Sequence, residues 1–179
     1  MAKTYNSLSS VTVGSVLTAS DYNKVLENSN NYRVPPMARI RRASSQNVAN
    51  TTDTILSWTD MDFDTDSMWA AGSADRLTVT TPGIYLVVAT VSFIASSTGE
   101  RIAWIQKNGS GSTRFGQIRT SANSTANENA VSISAFVDCA LNDYLQVGVY
   151  QSAGTGTATV LGSGTSPTNL SVKWLGQKT

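Results

Sequence analysis

Ile84-Tyr85-Leu86-Val87-Val88-Ala89 is apolar at every position, and the fold turns on this run. A strand with one wet face alternates apolar and polar residues, so an unbroken apolar run needs cover on both faces. In a two-layer sandwich one face meets the core and the other needs a second cover. A neighbouring subunit is the natural candidate. Ile84, Tyr85, Leu86, Val87 and Val88 are therefore candidates for core or intersubunit contact.

Outward from this run the chain reads as strand after strand. The candidate segments are 37–44, 47–58, 61–64, 76–81, 83–95, 100–108, 113–119, 129–140, 143–151, 156–161 and 168–175. Pro82-Gly83, Asn108-Gly109, Asn142-Asp143 and Gly-rich stretches at 154–156 and 162–164 supply the turns between them. About ten strands without interleaved helices predict a sandwich or barrel. Leu145, Val147 and Val149 alternate with Gln146, Gly148 and Tyr150, which predicts one face in the core. Cys139 ends the alternating run Val131-x-Ile133-x-Ala135-x-Val137-x-Cys139 and reads as a small buried hydrophobe. A single cysteine excludes a disulfide within the chain.

Only residues 1–34 carry a helical period. Thr18-Ala19-Ser20-Asp21 fits a capping box, with Thr18 as the N-cap. Leu17 and Tyr22 are spaced for a hydrophobic staple, and Tyr22, Val25 and Leu26 follow at i, i+3, i+4. This predicts about three turns of helix that dissolve in Asn28-Ser29-Asn30-Asn31. So short a helix is marginal alone, so its stripe packs either on its own domain or on a partner. Leu17, Tyr22, Val25 and Leu26 are the candidates for such an anchor. Pro35-Pro36 then stiffens the chain into an extended connector, dividing an N-terminal segment, 1–36, from a β domain, 37–179.

Composition narrows the chemistry. The 179 residues include 24 Ser, 22 Thr and 13 Asn but no His, and only 14% are charged. Without His no Ser-His-Asp or Cys-His triad can be built, nor a histidine-ligated metal site. A net charge of +1 offers no electrostatic footprint for nucleic acid or an anionic membrane. No run approaches the length of a membrane span, and no signal peptide is visible. The expectation is a protein made in a cytoplasm that is not an enzyme and needs no cofactor.

Asp60-Met61-Asp62-Phe63-Asp64-Thr65-Asp66 is the one dense ionisable cluster. Extended, it would place four carboxylates on one face and Met61 with Phe63 on the other. Four such groups could collect a hard cation, although the sixth and twelfth positions lack the Gly and Glu of an EF-hand loop. The competing reading is a solvated face that blunts a sheet edge. Arg39-Ile40-Arg41-Arg42 reads as edge charges or intersubunit pairs. Among the four tryptophans, Trp104 and Trp174 lie in alternating strands and are expected in the core. Trp69 fits either an exposed contact or a core anchor.

From 37 to 176 the order of features resembles the C1q/TNF-like jelly roll. The opening strand Ala38-Arg39-Ile40-Arg41-Arg42-Ala43 comes first, then Pro82-Gly83-Ile84-Tyr85-Leu86, similar to the family's Gly-x-Tyr core strand. Ile105-Gln106-Lys107-Asn108-Gly109 resembles its Lys-Asn-Gly hairpin, and Asn169-Leu170-Ser171-Val172-Lys173-Trp174-Leu175 its closing strand. Leu141-Asn142-Asp143-Tyr144 departs from it, with Asn142 where the family usually has Gly. Val16-Leu17-Thr18-Ala19-Ser20-Asp21-Tyr22-Asn23 resembles the opening of many bacteriophage minor tail and fibre proteins.

Together the resemblances imply an all-β jelly-roll sandwich behind a short helical anchor, assembled as a homotrimer in a phage virion. The N-terminal segment would join other virion proteins, and a knob at the tail tip or fibre end would touch host glycan or receptor. Candidate contact loops are 96–100, 109–112, 120–129 and 152–166. The rival expectations are a trimeric capsid decoration or head-fibre protein, a glycan-degrading enzyme using Asp60–Asp66, and a free C1q-like binding module.

Overall fold

The computed structural model describes residues 3–8, 10, 12–109, 111, 113–122, 128–154, 157–162 and 167–178. In chain order these form α1 (Ala19–Arg33), β1 (Met37–Arg41), β2 (Gln46–Ala49), β3 (Thr54–Ile55), β4 (Asp60–Asp64) and β5 (Leu77–Thr78). There follow β6 (Gly83–Phe93), β7 (Glu100–Lys107), β8 (Arg114–Ser121), β9 (Asn129–Cys139), β10 (Tyr144–Gln151), β11 (Thr157–Val160) and β12 (Asn169–Gly176). A seven-stranded sheet runs β2-β11-β6-β12-β1-β4, with β9 also paired to β6. A five-stranded sheet runs β3-β10-β7-β8, with β5 beside β10. Every pairing is antiparallel. The architecture is a jelly-roll β-sandwich behind one helix, as the strand pattern implied.

Strand β6 is the spine of the larger sheet, in register with β9 from Gly83↔Cys139 to Phe93↔Asn129 and with β12 on its other side. Its alternation sends Tyr85, Val87, Ala89, Val91 and Phe93 inward, all fully buried. Val131, Ile133 and Val137 of β9 join them, as do Ala103 and Ile105 of β7 and Leu145, Val147 and Val149 of β10. Burying a side chain of this size is worth roughly 1.5–3 kcal/mol each, so this layer is the main source of stability. Gly83 (φ +144°) is fixed by crowding, since a Cβ there would lie 2.4 Å from Trp174 Nε1 and from Gly176 O.

Several sequence expectations shift in detail. The segment 47–58 splits into β2 and β3 around Thr51 (φ 54°), so twelve strands form among the described residues rather than about ten. The capping box at Thr18 is present: its side chain accepts from Asp21 N, and Asp21 receives the Thr18 N–H. Yet α1 runs on to Arg33, through the Asn-rich stretch expected to end it. Asn28 there exchanges hydrogen bonds with the Asn6 backbone (2.8 and 2.9 Å), and Asn31 Nδ2 donates to Thr4 O (2.6 Å). Asparagine side chains that compete with helix backbone elsewhere are occupied here by a second piece of chain.

Trp104 is buried but not in the core. Alternation along β7 turns Ala103 and Ile105 inward and Trp104 outward, where the Arg114 guanidinium lies 3.8 Å from its ring centroid. The ring lies against Gly148, where a Cβ would come within 2.2 Å of it. That contact also covers the β10 face that alternation left to solvent, and Gln146 is buried there. Trp174 does join the core, and Trp69 packs against it as an anchor.

Candidate functional site

Three surfaces stand out among the described residues, and the topology separates them. The first is the outward face of the larger sheet. Ile84, Leu86 and Val88 of β6 are half-buried there, while Phe136, in register with Leu86, is 69% exposed. Leu175 of β12 is exposed on the same face. Toward the other end of β6 the face becomes hydroxylic, with Thr90 and Ser132 hydrogen-bonded at 3.1 Å. Of the five apolar candidates in this strand, Tyr85 and Val87 are core. The other three form this outward patch.

The edge of that face is charged. Asp60 and Asp62 pair with Arg41 (2.5 and 3.0 Å), and Asp62 also pairs with Arg39 (3.2 Å). Asp64 instead accepts from the backbone N–H groups of Asp66 and Trp69 (3.0 and 2.8 Å). Asp66 is fully buried and accepts from the hydroxyls of Thr80 and Thr81. The chain turns after β4, so four carboxylates do not share one face. Among the described residues no group of three or more His, Cys, Asp or Glu side chains is arranged to hold a metal ion. The cluster blunts the β4 edge and fastens the next loop.

The second surface is the N-terminal segment. Tyr5 stacks on Trp174 (centroids 4.3 Å apart, planes 20° apart) and meets Tyr32 edge-on at 5.4 Å. Lys3 N donates to Thr81 Oγ1 (3.0 Å), and Trp174 Nε1 donates to Pro82 O (3.0 Å). Burial, then the neighbouring Tyr32 and Asp66, push the Tyr5 phenol up to about 12. Residues 3–8 thus strap α1 to the base of the sandwich. The anchor candidates stay outside this contact: Leu17, Tyr22, Val25 and Leu26 are 61, 60, 48 and 43% exposed. Leu8, Val16, Leu17 and Val25 line a cleft of about 330 Å3 together with Asp21 and Lys24.

The third surface is the far end of the sandwich. Ala122 N bonds Gly99 O (2.9 Å), Ser152 N bonds Glu100 O (3.1 Å), and Thr98 Oγ1 donates to Ala153 O (3.2 Å). Segments 96–100, 120–129 and 152–166 therefore gather there in their described parts, opposite the helix, although 152–166 proves to contain strand β11. Residues 123–127, 155–156 and 163–166 lie outside the described residues. The fourth candidate loop, 109–112, belongs to the helix end instead: Asn108 N bonds Tyr144 O (2.9 Å) beside the Asn142 turn, and Asn142 N bonds Val79 O (2.9 Å). Residues 110 and 112 of it are outside the described set.

Burial pushes the Cys139 thiol up to about 12, which suppresses the reactive thiolate. Asn142 adopts φ 69°, a conformation open to Asn as well as Gly. Its departure from the family pattern therefore preserves the turn. Among the described residues no helix is long and apolar enough to cross a membrane.

No protein-family model matches the sequence, and no curated protein matches it. Solved structures do match the fold. The Eiger TNF of S. frugiperda is 15% identical, with a TM-score of 0.58 over 80% of this chain and 94% of that one. The globular domain of zebrafish complement 1qA is 12% identical, with a TM-score of 0.59 over 80% and 99%. Murine APRIL is 17% identical, with a TM-score of 0.59 over 77% and 98%. These likenesses identify the TNF/C1q jelly roll as the fold of this chain.

Proposed function

We propose that the protein is a non-enzymatic structural component of a bacteriophage virion: a homotrimeric jelly-roll knob at a tail tip or fibre end that contributes to host-surface recognition. The observation that carries the reading is the polarity of the molecule. The N-terminal segment, with its exposed apolar Leu17, Tyr22, Val25 and Leu26, lies at one end, and three polar loops gather at the other. Such an arrangement suits attachment below and contact above. The apolar patch of Ile84, Leu86, Val88 and Phe136 between them suits burial against neighbouring copies. The experiment is adsorption: the purified trimer should bind host cells and compete with particles. A protein that neither binds cells nor slows adsorption would overturn the adhesive role.

A second reading, a trimeric capsid decoration or head-fibre protein, draws on one observation. The Tyr5–Trp174 stack seats the knob directly on its N-terminal segment, close to whatever that segment binds. Labelled antibody on intact particles, located by electron microscopy, separates tail from head.

A further inference from the structure

Two arginines lie inside the sandwich at the far end with no carboxylate paired to them among the described residues. Arg42 follows Ala38 and Ile40 on the inward side of β1 and is 4% exposed; Arg101 sits on the same side of β7 as Ala103 and Ile105 and is 0% exposed. The buried acid Asp66 is at the opposite end, beside Thr80 and Thr81. Arg42 Nη1 is held by Gln46 Oε1 (2.7 Å) and Ser57 O.

Arg101 is less complete. Its Nη1 donates to Glu100 O (2.9 Å) and, at 3.4 Å, to Thr98 O, and its guanidinium carbon lies 5.9 Å from the Phe93 ring centroid. Among the described residues Nε and Nη2 have no hydrogen-bond partner. The adjacent Glu100 carboxylate turns outward to Arg119 (3.1 and 3.2 Å) and does not serve it.

Nε–H and one Nη2–H point the same way along one edge of a guanidinium. That edge is the one a carboxylate engages with two parallel hydrogen bonds. A fully buried cation with this edge unpaired is costly, and an oxyanion ligand would remove the cost. The covering turn at Thr98–Glu100 belongs to the contact loops and is held by Ala122 N to Gly99 O (2.9 Å), Ser152 N to Glu100 O (3.1 Å), Thr98 Oγ1 to Ala153 O (3.2 Å) and Glu100 N to Ser152 Oγ (3.0 Å).

We propose that the far end of the sandwich takes the carboxylate of an acidic sugar, side-on, against the Nε–Nη2 edge of Arg101. The sugar as the source rests on the adhesive role proposed above; the oxyanion site rests on Arg101 itself.

The test uses the full chain with sodium glucuronate, glucose, sodium acetate and sodium sulfate at one ionic strength. Glucuronate should move the Arg101 Nε–H NMR resonance, leave those of Arg114 and Arg119 in place, and raise Tm by about 3–5 °C at ten times its dissociation constant. Glucose should do neither, and R101K should abolish the Tm shift. Because R101K itself could fail to fold, the wild-type resonance decides alone. An unmoved Arg101 resonance overturns the proposal, as does an equal response to acetate or sulfate. If glucuronate binds but the protein does not adsorb to cells, the adhesive role falls and the site stands.

Discussion

Tyr5 lies stacked on Trp174, 4.3 Å between ring centroids, although they stand 169 positions apart in sequence. The contact ties the first described residues to the last strand of the sandwich, and Tyr32 closes the cluster from α1. Pro35-Pro36 therefore joins two parts that also meet directly.

Y5A should destabilise the protein by about 1–3 kcal/mol, from two lost aromatic contacts and their buried area. Y5F keeps the rings and loses only the 3.2 Å bond to Asn31 O, costing about 0.5–1.5 kcal/mol. Urea unfolding of the two variants measures the difference.

The same phenol makes the strap sensitive to alkali. Its folded pKa, about 12, lies above the ordinary 10.0, so the folded state favours the neutral form. The contribution is complete below the ordinary value and is lost as pH rises toward the folded one. Tryptophan fluorescence should report loss of the strap over that interval, and Y5F should lack this transition.

Asp143 acts at the acid end. Burial alone would raise its pKa, but hydrogen bonds from Asn108, Ala140 N and Lys107 hold it below the usual carboxylate range. Its contribution is present above the unfolded value of about 3.9 and lost as pH falls through the folded one. D143N should therefore flatten the loss of stability below about pH 4, measured by thermal unfolding across pH.

Gly148→Ala places a methyl group against the Trp104 indole, 2.2 Å from Cε2 and Cζ2. Displacing a ring clamped by Arg114 should cost at least about 1–3 kcal/mol. A denaturation midpoint equal to wild type would show that the outer face of β7 is softer than its burial indicates.

The sequence was most informative where one period ran unbroken. Alternation in β9 and β10 and the apolar run in β6 located the core strands and a face in need of cover. It was least informative where a distant piece of chain took over a local preference. Asn28 and Asn31 read as the end of a helix until Thr4 and Asn6 occupy their side chains. Trp104 reads as core because its cover, Arg114, belongs to another strand and is itself charged. The aspartate cluster reads as one face, but the turn after β4, with Ser67 at φ 56°, sends Asp66 into the interior. Segments 96–100 and 120–129 were legible as loops in their described parts, whereas 152–166 contains β11, and their gathering at one end is a property of strand order alone.

The claim on which the proposed function depends is that Ile84, Leu86, Val88 and Phe136 are buried between copies of the chain. Light scattering of the purified protein tests it directly. The predicted mass is three times the 19.0 kDa chain, falling to one chain in the folded double variant L86E/F136E. A folded wild-type monomer at micromolar concentration would contradict it.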